Sequence, residues 1–273
     1  MKKLVLFAAT IVCISVNAKA QFRKLTANEI TYYNALYPVL YNAIPHNYKT
    51  WKAMAGRTGE FDIRKYWCPD PTPGNDCTGT CPVSVGKGDP YSLDCDIEFT
   101  MPGDQSTALK VAAYKTIKDF NNGKQLATAL KSTAKAKLKI NVISNVTAGD
   151  FVLSYCGKNA PEKLDLPVPA TLALLGIHSD GCPVMDGGRP SMSPGDKYYD
   201  SAVIFLGKPV AKQSTHVSDD GLTETNYAIN FDKAKIGTLI TQNIVVTLQG
   251  DAEDIKAAVK AINWQKLYAA IVK

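Results

Sequence analysis

Leu93-Asp94-Cys95-Asp96-Ile97-Glu98-Phe99 alternates apolar and acidic side chains, the period-two pattern of a strand with one face in a core and the other in water. Lys137 to Val142 repeats the pattern with lysine between Leu138, Ile140 and Val142. Short apolar or β-branched runs at Phe151 to Tyr155, Thr171 to Ile177, Ala202 to Leu206, Tyr227 to Phe231 and Ile244 to Leu248 read as further strands. Helical spacing governs the start. Thr26-Ala27-Asn28-Glu29 places Thr three residues before Glu, the reciprocal cap of a helix, and Ile30, Leu36, Leu40 and Ala43 follow at helical intervals, with Pro38 expected to bend the element. Tyr33, Tyr37 and Tyr41 recur every four residues and share a face that can cover a sheet or meet a partner.

Two strand-turn-helix units stand out. After the strand at 93–99, Pro102-Gly103-Asp104 turns and caps, and Leu109, Ala112, Ala113, Ile117 and Phe120 mark a helical face that ends at Asn122-Gly123. Near the other end, Ile244 to Leu248 leads into Gly250-Asp251, and Ile255, Ala258, Val259, Ile262 and Ala269 trace one helical face. Ile97, Thr100, Gly103 and Asp104 align without a gap on Ile244, Thr247, Gly250 and Asp251. An internal duplication and shared turn chemistry both account for that match. The expected class is α+β: an N-terminal helix, a mostly antiparallel sheet, and strand-turn-helix units near 93–122 and 243–271.

The first 20 residues change the picture of where the chain works. Lys2 and Lys3, the apolar run Leu4 to Val16 and Ala18-Lys19-Ala20 are the three parts of a cleavable export signal, so the mature protein is expected to begin at Gln21 and to end in the periplasm, on the cell surface or outside the cell. Residues 21–273 then form one domain or two similar halves. No later apolar stretch is long enough to cross a bilayer, and the mature chain is expected to be soluble. Loss of Lys2, Lys3 and Lys19 leaves 28 basic residues against 25 acidic ones, too even a balance to imply a nucleic-acid partner.

An exported chain with six mature cysteines points to disulfides: Cys68, Cys77, Cys81, Cys95, Cys156 and Cys182. Four fall in a loop at 66–96 rich in Pro and Gly, which is expected to depend on crosslinks, leaving Cys156 to pair with Cys182. Gaps of eight, three and thirteen residues lack the paired close spacing of a zinc ribbon, and Cys77 and Cys81 are one residue too far apart for a redox pair.

Candidate chemistry is sparse. The three histidines, His46, His178 and His216, form no ligand-spaced pair. His178-Ser179-Asp180-Gly181 resembles in part the nucleophile elbow of α/β-hydrolases. Ile177 stands where that turn needs glycine, and no helix signal follows, so the likeness names no family. Asp94, Asp96 and Glu98 lie about 6 to 7 Å apart along one strand face, too spread for one calcium ion without help from a loop. Residues 110–139 hold eight lysines and one acid, and Lys131, Lys135, Lys137 and Lys139 are the candidate contacts for an anionic surface or glycan. No metal or cofactor motif is present. The expected role is a non-catalytic binding or structural protein. An envelope hydrolase with dispersed Asp, Glu and His, and a lysine-based anion-binding module, are the alternatives.

Overall fold

The structure, a computed structural model, describes residues 26–55, 91–103, 105, 137–146, 151–156, 160–178, 185–186, 189–190, 200–217, 222–229, 231–235 and 237–271. It is a mixed protein of helices and mostly antiparallel sheet. The central sheet has seven strands, all paired antiparallel: β1 (Lys52–Ala55), β2 (Leu93–Thr100), β3 (Lys137–Ser144), β5 (Glu162–Lys163), β6 (Leu172–Gly176), β9 (Asp200–Gly207) and β12 (Asn243–Gly250). Their order across the sheet is β1-β2-β3-β12-β9-β6-β5. A second sheet of three strands runs β10-β11-β4, with β4 at Phe151–Cys156, β10 at Val210–Val217 and β11 at Leu222–Ile229. A short pair, β7 (Met185–Asp186) and β8 (Arg189–Pro190), stands apart.

The alternation of side chains sorts the core into two layers. Ala202, Ile204 and Leu206 of β9 and Ile244, Val246 and Leu248 of β12 join Ile97, Phe99, Leu138, Ile140 and Val142 under the helices. Val203 and Phe205 of β9 and Val245 of β12 point the other way and pack against Leu153, Tyr227 and Ile229 of the small sheet. The central sheet therefore lies between a helical layer and a sheet layer.

Helix α1 (Ala27–Tyr41) begins with the expected cap: Thr26 Oγ1 accepts the Glu29 amide at 3.3 Å, and Glu29 Oε2 accepts the Thr26 amide at 2.7 Å. Tyr33 and Tyr37 are buried and Tyr41 packs partly against the same cluster, so the tyrosine stripe covers the sheet. Pro38 lies inside the helix.

The C-terminal helical face divides, which corrects the reading of residues 255 to 269 as a single stripe. α2 (Ala252–Ala261) stops at Ile262, whose backbone is extended. Asn263 then caps α3 (Trp264–Ala269), its Oδ1 accepting the Lys266 amide at 3.0 Å, while its own amide donates to Ala43 O at 2.8 Å. Trp264 fixes the break by donating its indole N–H to Val259 O at 2.7 Å.

The strand expected at Tyr227 to Phe231 begins five residues earlier, at Leu222. β10 has no apolar alternation: every residue from Ala211 to Val217 is exposed, and a register shift lies between Lys212 and Ser214. β2 and β12 flank β3 and run parallel to each other, but the helix that would complete a comparison of the two units falls at 104–122, outside the described residues apart from Gln105.

Candidate functional site

A half-open pocket of about 230 Å³ lies where β9 leaves the central sheet. Its walls come from four places in the chain: residues 169–171 before β6, Gly207 at the end of β9 with Lys208 after it, Gln242 before β12, and Tyr268 and Ile271 at the end of α3. That volume is below the roughly 300 to 1,000 Å³ usual for drug-sized ligands, so the space suits a small molecule.

The pocket is held by backbone contacts that leave little freedom. Gly207 has φ +104°, and a Cβ there would sit 2.5 Å from Gln242 O and 3.3 Å from Ile271 Cγ2. Only glycine lets the turn pass this close to the strand beside it. Thr171 donates its amide to Phe205 O at 2.9 Å, which ties the opposite wall to β9. Gln242 is buried, and its side chain is occupied with the Asp232 backbone, Oε1 accepting the amide at 3.1 Å and Nε2 donating to the carbonyl at 3.3 Å.

Behind Gln242 lies a buried polar hub. Asn145 sits at φ 54°, and its Nδ2 donates to Tyr91 O at 2.9 Å and Ile240 O at 2.7 Å, while its Oδ1 accepts the Gln242 amide at 2.7 Å. The backbone before β12 is thereby locked to the start of β2 and the end of β3. The hub reaches α1 through Tyr32, whose hydroxyl lies 3.2 Å from Asn145 Nδ2 and 3.1 Å from Thr241 Oγ1.

Lys208 is the charged residue among the wall residues, and no carboxylate among the described residues pairs with it. The remaining surface is largely carbon, from Pro169, Ala170, Ile271 and the Tyr268 ring. Sequence reasoning missed this site. Its residues come from turns and strand ends more than 100 positions apart, and nothing in their local spacing relates them.

The residues singled out from sequence are not brought together. Lys137 and Lys139 lie on the outer face of β3 beside the acids of β2, and Lys137 Nζ is 3.0 Å from Glu98 Oε1. Lys139 faces Glu98 across the strands. Lys131 and Lys135 lie outside the described residues. Asp94, Asp96 and Glu98 form no ion-holding group, and none of three or more such ligands occurs among the described residues. Cys95 is buried in the core-facing row of β2, while Cys68, Cys77 and Cys81 lie outside the described residues. Cys156 is disulfide-bonded, and the position of its expected partner, Cys182, is again outside them.

His178 is buried with its Nδ1 3.9 Å from Asp200 Oδ1. Both oxygens of that carboxylate already accept backbone amides, from His178 at 2.7 Å and Ala252 at 2.9 Å, so Asp200 works as a clasp between β6 and α2. Ser179 of the partial elbow is outside the described residues.

No protein-family model, curated protein or solved structure matches the chain.

Proposed function

We propose that the protein is exported and works as a non-catalytic binding protein, with the pocket beside Gly207 and Lys208 as its ligand site. The observation that carries this reading is the pocket itself: a concave, mostly apolar space whose walls are fixed by Gly207, Thr171 and the Asn145–Gln242 contact before any ligand arrives. Preformed walls lower the ordering cost of binding. Among the described residues, the buried carboxylates of Asp200, Glu29 and Asp254 are engaged in structural contacts, Asp200 and Glu29 as clasp and cap and Asp254 with Tyr48 and Lys49, which leaves the pocket as the feature that supports a binding role. In the same reading the leader at 1–20 is removed, the 66–96 loop is crosslinked, and the destination is the periplasm, the cell surface or the medium.

Amide chemical-shift mapping of the exported protein against a mixture of small fragments tests the reading. Perturbations should gather at Thr171, Gly207, Lys208, Gln242 and Tyr268, and Ala170→Trp, which fills the space, should abolish them. Perturbations scattered elsewhere, or unchanged by Ala170→Trp, would remove the pocket from the argument.

A further inference from the structure

We infer that the pocket takes a small organic anion, a carboxylate carried on a compact apolar body. This rests on the reading of the pocket as a binding site and adds the class of ligand. The apolar part of the inference comes from the wall: Pro169, Ala170, Ile271 and the Tyr268 ring offer carbon surface and little to satisfy a polar group. An apolar body laid against this carbon surface removes it from water with gain. The anionic part comes from Lys208. Its neighbours on the turn are Gly207 and Pro209, neither of which carries a charge, and no described carboxylate neutralises it. A lysine at the edge of a low-dielectric concavity strengthens attraction to an anion and repels a cation.

The donors of Gln242 and Thr171 in the wall are already engaged. The Gln242 amide donates to Asn145 Oδ1, and the Gln242 side chain holds Asp232. Thr171 donates both its amide and its hydroxyl to Phe205 O, at 2.9 and 3.2 Å. A sugar, which needs many directed partners, finds few here. A carboxylate needs one strong donor, and the ammonium of Lys208 supplies it as a charge-assisted hydrogen bond. The small volume excludes long acyl chains lying wholly inside, which leaves short aliphatic or single-ring acids.

The experiment compares matched probes on the full exported chain: hexanoate and benzoate against hexanol and hexylamine, followed by amide shifts. The acids should perturb Thr171, Gly207 and Gln242 and bind at least about tenfold more tightly than the alcohol or the amine. Lys208→Met should remove that preference, Lys208→Arg should retain it, and Lys212→Met on the neighbouring exposed strand should leave it unchanged. If hexanol binds at the pocket as tightly as hexanoate, or Lys208→Met leaves the preference intact, the anionic class is wrong while the pocket survives as a binding site. If none of the probes perturbs these residues, the inference and the reading beneath it both fall.

Discussion

The carboxylate of Asp200 accepts the amide of Ala252 at 2.9 Å, joining the first residue of β9 to the first turn of α2. The other oxygen accepts the His178 amide, and Asp200 is almost wholly buried. Asp200→Asn turns one acceptor into a donor facing a buried N–H, and Asp200→Ala leaves both amides without it. Each variant should lower unfolding free energy by about 2 kcal/mol or more, read from urea or guanidinium midpoints. A loss under about 0.5 kcal/mol, the level of an ordinary surface change, would contradict the clasp.

Asn145 separates backbone strain from hydrogen bonding. Its φ of 54° disfavours a side chain, yet its amide group holds Tyr91, Ile240 and Gln242. Asn145→Gly relieves the strain and loses the hydrogen bonds; Asn145→Ala keeps the strain and loses the hydrogen bonds. Both should destabilise, with Ala worse than Gly by about 1 kcal/mol in thermal or denaturant melts.

Alkali should act through tyrosines. Burial pushes the Tyr33 hydroxyl well above its usual range, and Tyr32, Tyr91 and Glu29 nearby add to it. Burial also raises Tyr48, helped by the hydrogen bond it donates to Asp254 and by that carboxylate's charge. The folded protein keeps these protons at pH values where the unfolded chain, near pKa about 10, gives them up. Unfolding therefore releases protons, and stability should be level below about pH 9 and fall as pH rises past about 10. Phenolate absorbance should show these groups ionising only on unfolding, and Tyr48→Phe should flatten the slope of midpoint against pH.

Gly207→Ala should cost more than about 1 to 2 kcal/mol, because the added carbon meets Gln242 O at 2.5 Å in a backbone conformation that side chains avoid. It should also weaken whatever the pocket binds, which shift mapping of the folded fraction would detect.

Much of the frame is legible from side-chain alternation. β2 and β3 place Leu93, Ile97, Phe99, Leu138, Ile140 and Val142 inward as their spacing requires, and Thr26 with Glu29 marks the start of α1. β10 is not legible, because Lys212, Gln213, Ser214, Thr215 and His216 are exposed on an edge and owe their extended form to pairing with β11. The division of α2 from α3 is hidden too: Ile262 keeps the apolar period in sequence while the backbone at Ile262 and Asn263 leaves the helix. The pocket left no trace because Lys208, Gln242 and Tyr268 meet only through the sheet order, which joins β12 to β9 across about 40 residues of chain.

β9 has a further consequence. Apolar on both faces, it presents Ala202, Ile204 and Leu206 to one core and Val203 and Phe205 to the other, so sliding it by one position would trade occupants between two equally greasy compartments. Such a strand carries no phase of its own. The phase is set at its two terminal residues, by an acid that only one alignment brings to the amides of His178 and Ala252, and by a glycine that only one alignment places against Gln242. Interchange of aliphatic residues along its middle should therefore be well tolerated, while the ends act as the stops that keep the whole sheet in step.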